Sequence, residues 1–167
     1  NGPVIGLNTG AGGRWPSKAL SIERTAALAQ ELDRRLAGRA TFLVLGGPEE
    51  AARNRAIVES LRGGPRVLDG GTENSVLEFA AWVARTDVLV ASDSLALHVA
   101  VARRVPVVAF FAPTSAAEIE LYGRGRKVAS TARDACSYRP DADTSTLTVE
   151  RLSEAVLQVL AERRGSS

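Results

Sequence analysis

The residues of this chain that could do chemistry sit at the ends of apolar runs and the starts of helices. The most pronounced case is Ser92-Asp93-Ser94, between the apolar run Val88–Ala91 and a helical stretch, Leu95–Arg103, free of Gly and Pro. Small polar residues favour turns and helix N-caps. A strand that passes into a helix through such a turn aims unpaired backbone N–H groups at one point, and that point attracts phosphate. His98, the single histidine, lies one turn inside the helix, within reach of whatever its terminus holds. A second candidate is the loop Thr9-Gly10-Ala11-Gly12-Gly13, followed by Arg14 and Lys18. Glycine permits close approach of backbone to an anion and the positive φ angles that aim successive N–H groups. Arg14 and Lys18 add charge able to neutralise a diphosphate.

Each of these residues also has a plainer reading. The glycine loop is neither a Walker A, which needs a Gly-Lys-Ser/Thr, nor a full dinucleotide fingerprint, which needs a third glycine on the helix. Taken alone, it is equally a plain turn between strand and helix. Glu49 and Glu50 stand where a carboxylate accepts from ribose hydroxyls, or where acidic residues complement a helix dipole. Asp93 alone reads as a cap and His98 alone as a core residue. Thr114 and Ser115 offer hydroxyls to phosphate or cap the patch that follows. No nucleophile–His–acid arrangement is legible. One His and one Cys, Cys136, make neither a zinc site nor a disulfide.

The elements that must position these residues alternate as strand and helix, the pattern of an α/β fold with a parallel sheet covered on both faces. Strands are expected at Val4–Asn8, Thr41–Leu45, Val67-Leu68, Val88–Ala91 and Val107–Phe111. Helices are expected from a Ser21 cap to about Ala37, from Pro48 to about Leu61, from a Ser75/Glu78 capping box to about Ala84, and over Leu95–Arg103. A final amphipathic helix is marked by Val149, Leu152, Val156, Val159 and Leu160. Ala117–Leu121 reads as a short helical patch, Gly123–Lys127 as polar connection, and 133–145 as irregular. The common doubly wound, Rossmann-like order 3-2-1-4-5-6 makes strands one and four neighbours where the order reverses, and ligands gather there. On that order the Gly-rich loop, the Ser92–Ser94 turn and the Pro113-Thr114-Ser115 loop face one crevice.

Composition narrows the class. The chain has 167 residues, 45% hydrophobic and 24% charged, enough for one full core. A net charge of +2 gives no reason to expect a nucleic-acid partner. No apolar run approaches the roughly 20 residues of a membrane helix, and no signal peptide is visible. A single cysteine suits a reducing compartment. The chain opens directly on a core strand, as a compact single domain or a piece cut at a domain boundary would.

Two segments in order add a family reading. Asp93-Ser-Leu-Ala-Leu-His98 with Phe111-Ala-Pro-Thr-Ser115 resembles the D-[ST]-x-x-x-H and F-G-P-T-S motifs of glycosyltransferase family 9, the ADP-heptose:lipopolysaccharide heptosyltransferases and their relatives. Gly46-Gly-Pro-Glu49 and the segment beginning at Lys18 fall in matching order, and the resemblance spans Val4 to Val159. Leu95 stands where many members carry Gly, and Ala112 replaces the Gly of the second motif.

The resemblance implies a GT-B enzyme of two Rossmann-like domains, with this chain (1–167) as the C-terminal donor-binding domain and the acceptor domain lying outside it. It implies that Thr9, Gly10, Ala11, Gly12, Ser94, Leu95 and His98 surround a diphosphate, with Asp93 in the same turn. Lys18, with Arg14 beside it, would grip the donor, Glu49 or Glu50 the ribose, and Thr114 and Ser115 the sugar-phosphate side. The expected partner is a nucleotide-sugar donor, ADP-heptose first, acting as substrate with no cofactor and no metal. The acceptor would be a glycan or lipid-linked molecule bound through the other domain, which would also supply the general base. The whole protein is expected in the cytoplasm, at the inner face of the membrane as a peripheral protein. Another GT-B-like nucleotide-sugar enzyme such as an epimerase, a nicotinamide-dependent dehydrogenase domain and a stand-alone nucleotide-binding module are the alternatives.

Overall fold

The computed structural model describes residues 2–13 and 15–165, so the expectation placed on Arg14 lies outside the described residues. Six strands form one parallel sheet in the order β3-β2-β1-β4-β5-β6. They are β1 (Val4–Asn8), β2 (Thr41–Val44), β3 (Arg66–Asp69), β4 (Val88–Ser92), β5 (Val107–Phe111) and β6 (Gly125–Ala129). Register carries the site across the sheet centre: Asn8 pairs with Ala91, and Leu7 pairs with both Val44 and Val90. The C-terminal ends of β1, β2 and β4 therefore finish side by side.

Alternation along the strands divides the core in two. Ile5, Leu7, Phe42, Val44, Val88, Val90, Val108 and Phe110 point to one face. There α1 (Ile22–Arg35), α2 (Ala51–Ser60) and α5 (Val149–Gly165) cover them, with α1 between the other two. Leu43, Leu45, Leu89, Ala91, Val107, Ala109 and Phe111 point to the other face. There α3 (Val76–Val83) and α4 (Leu95–Ala102) lie together. β4 and β5 are buried at every position, as parallel strands covered on both faces must be.

Capping follows the sequence closely. Ser21 Oγ accepts from the Arg24 amide at the start of α1. Ser75 and Glu78 form a reciprocal capping box at the start of α3.

Two segments differ from expectation. Gly123–Lys127 was expected as connection, yet Gly125–Ala129 pairs in register with β5 as the edge strand β6. Only Val128 of its five residues is buried, so the polar composition reflects an open edge and hides the strand. The patch expected at Ala117–Leu121 is a single 3-10 turn, Ala116–Glu118, capped by Ser115.

Candidate functional site

At the C-terminal ends of β1, β2 and β4 lies a cavity of about 870 Å³. Its first wall is the loop after β1, contributing Ala11, Gly12, Trp15 and Lys18. The second is the turn into α4, Asp93 to Ala96, and the third is Gly46 to Glu50 after β2. Asn74, Val76 and Phe79 at the start of α3 close the far end, and Asn8 forms part of the floor. This is the position of the order reversal, where α/β folds bind ligands.

One charged contact ties two of these walls together. Lys18 Nζ lies 3.0 Å from Asp93 Oδ2 and 3.1 Å from the Asp93 carbonyl, with both side chains about four-fifths buried. The ammonium also sits 5.8 Å from the Trp15 ring centre. Above it, α4 begins without a side-chain cap: Ser94 is the N-cap, but its hydroxyl donates to the Ser92 carbonyl. The Leu95 and Ala96 N–H groups find no acceptor among the described residues. An uncapped helix start beside an ammonium is a site for an anion.

The glycine loop is held from beneath by Glu50 of the β2–α2 connection and Arg53 of α2. Glu50, 9% exposed, accepts from the Gly12 amide at 2.8 Å and from the Gly47 amide at 2.6 Å. Close approach explains the glycines: a Cβ at Gly10 would stand 2.5 Å from Glu50 Oε1, and Gly12 has φ +67°. Arg53 Nη2 donates to the Thr9 carbonyl, Thr9 Oγ1 and the Leu20 carbonyl, the last at 2.6 Å. Burial lowers the Arg53 pKa from its ordinary value, with the Glu50 carboxylate pushing the other way. Glu49 is exposed and accepts one bond, 2.8 Å from the Gly13 amide. Of the two glutamates, Glu49 is thus the one with a carboxylate open to a ligand, while Glu50 is engaged with backbone.

The residues singled out in the sequence divide accordingly. Ala11, Gly12, Lys18, Glu49, Asp93, Ser94 and Leu95 line the cavity. Thr9 lies beneath it, 1% exposed, with its hydroxyl 2.9 Å from Thr25 Oγ1, and Gly10 packs on Glu50. His98 is exposed and lies outside the cavity lining. Thr114 and Ser115 also lie outside it, so two of the three expected loops share the cavity and the third flanks them. The third loop is nonetheless tied to Lys18's own turn. Tyr138 N–H donates to the Pro113 carbonyl, while the Ser17 amide and hydroxyl donate to the Pro140 and Arg139 carbonyls.

Asn8, Trp15, Asn74, Val76 and Phe79 were not singled out in advance. Asn8 had a signal, an amide ending an apolar strand; the others come together only through the chain's path. Among the described residues no three His, Cys, Asp or Glu side chains gather to hold a metal ion. No described helix is long and apolar enough to cross a membrane.

A cavity of this kind occurs in many nucleotide-binding folds, and comparison with known proteins separates them. The sequence matches the model of glycosyltransferase family 9 (heptosyltransferase) over residues 1–146. The chain belongs to glycosyltransferase family 9. No curated protein sequence matches it. Among solved structures, this family 9 chain is similar to E. coli ADP-heptose lps heptosyltransferase II, with TM-score 0.76 and 22% identity over 97% of this chain and 47% of that one. It is similar to a glycosyl transferase family 9 protein from Veillonella parvula, with TM-score 0.71 and 23% identity over 96% of this chain and 46% of that one. It is also similar to E. coli heptosyltransferase WaaC, solved with ADP-2-deoxy-2-fluoro heptose, with TM-score 0.62 and 20% identity over 97% and 44%. The chain thus spans about half the length of these structures, and the shared feature is the Rossmann-like fold.

Proposed function

We propose that this chain is the donor-binding half of an inverting GT-B glycosyltransferase, holding a nucleoside diphosphate sugar, with an ADP-linked heptose as the leading donor. The observation that carries the reading is the pairing of Lys18 with an uncapped α4 start in one wall-to-wall cavity. A diphosphate is the ligand whose charge and length suit it. Its phosphate oxygens would meet the Leu95 and Ala96 amides and the Lys18 ammonium, while the nucleoside would run toward Glu49, Asn74, Val76 and Phe79. Glu49 would accept from ribose hydroxyls with the oxygen not given to Gly13. Thr114 and Ser115, on the flanking loop, would approach the sugar-phosphate side, and His98 would approach the α4 terminus by a change of rotamer.

In the reaction, an acceptor hydroxyl oxygen forms a bond to the anomeric carbon as the bond from that carbon to the terminal phosphate oxygen breaks. The electron pair leaves with the nucleoside diphosphate, and the hydroxyl proton passes to a base outside this chain. What this chain supplies is stabilisation of the charge gathering on the leaving diphosphate, worth about 2–4 kcal/mol per well-placed donor. The acceptor, a glycan or lipid-linked molecule, and any peripheral association with the inner face of the cytoplasmic membrane would belong to the whole enzyme. Metal and cofactor play no part in this scheme, and the chain alone would bind donor without transferring sugar.

Calorimetric titration of the chain with ADP-, UDP- and GDP-sugars tests the reading. Preferential binding of the ADP-sugar supports it. Preference for uridine or guanosine donors overturns the donor assignment, and no saturable binding of any of them overturns the site.

A further inference from the structure

Asn8 is the last residue of β1 and the only polar side chain of that strand. It is 6% exposed, lines the cavity floor, and its carboxamide has no hydrogen-bond partner among the described residues. The carboxamide is not sealed off from the cavity, as the unpartnered side chains of Asn54 and Ser92 are, but keeps its polar end open to it. The neighbouring strands do not need it: an apolar residue would continue the side of β1 that packs with Leu43, Leu45 and Ala91. Its position says what it faces. β4 is the adjacent strand, with Ala91 in register with Asn8, and α4 rises directly from the end of β4. Asn8 therefore lies next to the uncapped α4 terminus, between it and the Gly46-Gly47 wall. The carboxamide offers two N–H donors to anything held there.

We propose that Asn8 is a ligand-contact residue that donates from Nδ2 to the phosphate nearest the nucleoside, an inference that rests on the donor-cavity reading above. The α4 amides and Lys18 hold the diphosphate from one side, and Asn8 holds its inner phosphate from the floor. The residue thereby distinguishes a nucleotide from a nucleoside.

The test uses ADP, AMP and adenosine against the wild-type chain and the variants Asn8→Asp and Asn8→Ala, by calorimetry, with thermal unfolding as the fold control. N8D keeps the shape and replaces the donor with a carboxylate facing phosphate. It should bind ADP and AMP at least about tenfold more weakly, as loss of a charge-assisted bond implies, with adenosine changed less than about twofold. N8A should weaken ADP by about threefold to tenfold and leave adenosine alone, and it carries the test if N8D does not fold. If wild type binds ADP and N8A binds it equally, the Asn8 assignment fails while the cavity reading stands. Equal losses for adenosine and ADP also overturn it. If wild type binds none of the three, both the assignment and the cavity reading fail.

Discussion

Lys18 and Asp93, 75 residues apart, meet at 3.0 Å across the mouth of the cavity, so that the ammonium offered to a ligand is already held by a carboxylate. The arrangement does two things. It joins the β1 loop to the α4 turn, and it sets a negative charge beside the place where an anion would settle. The Asp93 carbonyl, 3.1 Å from the same nitrogen, holds the lysine by a second, neutral contact.

Lys18→Ala should therefore weaken ADP binding about 10–100-fold, the scale of one lost charge-assisted bond of roughly 1.5–3 kcal/mol. The variant leaves Asp93 uncompensated beside the diphosphate. Asp93→Asn should act in the opposite direction, because the carbonyl contact still places Lys18 while the repelling charge is gone. Calorimetry at low ionic strength reads both, and equal affinity in wild type and K18A would remove Lys18 from the site.

Glu49 and Glu50 should separate cleanly. Glu50→Gln loses its carboxylate hold on Gly12 and Gly47, and should lower the melting temperature and broaden the amide signals of both glycines. Glu49→Gln should leave melting unchanged and weaken ADP about tenfold, a charged hydrogen bond's worth, while 2′,3′-dideoxy-ADP loses little. A drop in melting temperature for E49Q alone would reverse the two roles.

Arg53 never reaches the cavity lining, yet it fastens both ends of the β1 loop through the Thr9 and Leu20 carbonyls. Arg53→Met fills similar volume but takes the guanidinium donor from the Leu20 carbonyl and leaves the Thr9 carbonyl with the Leu20 amide alone, at a cost of about 1–3 kcal/mol. For a domain of this size the melting temperature should fall by about 2–10 °C, measured by calorimetric scanning. An unchanged melting temperature would show the loop to be held by other means.

The capping box of α3 gives a pH signature at the far end of the cavity. The Ser75 hydroxyl and amide, both donating to Glu78, hold that carboxyl below its ordinary range. A carboxylate with a depressed folded pKa contributes stability above its unfolded value, about 4.3, and loses it as pH falls through the lower folded value. Carboxyl 13C titration should place Glu78 below free glutamate, and Ser75→Ala should return it upward. An ordinary midpoint in the wild type would contradict the box.

The Lys18, Glu49 and Asp93 walls were legible because each marks a boundary where apolar periodicity stops, and the strand order because it is the common one for alternating strands and helices. β6 was not, since an edge strand with one buried residue carries no apolar pattern. Phe79 and Val76 belong to the site only because α3 lines the same cavity as Gly46, a relation between distant segments that no local spacing encodes. Thr9 looked like a phosphate ligand because its neighbours are glycines, whereas its hydroxyl is committed inward to Thr25 and Arg53. Arg53 carried no such signal, since nothing in its local spacing marks an arginine of α2 as the anchor of a loop more than thirty residues away.

The central claim is that one cavity, spanning the β1 loop and the α4 start, holds a nucleoside diphosphate. Backbone amide mapping by NMR during an ADP titration tests it most directly. The account predicts saturable shifts concentrated at Gly12, Lys18, Gly47, Ser94, Leu95 and Ala96, with β6 and α5 silent. Shifts confined to β6 and α5, or none at saturating ADP, would contradict it.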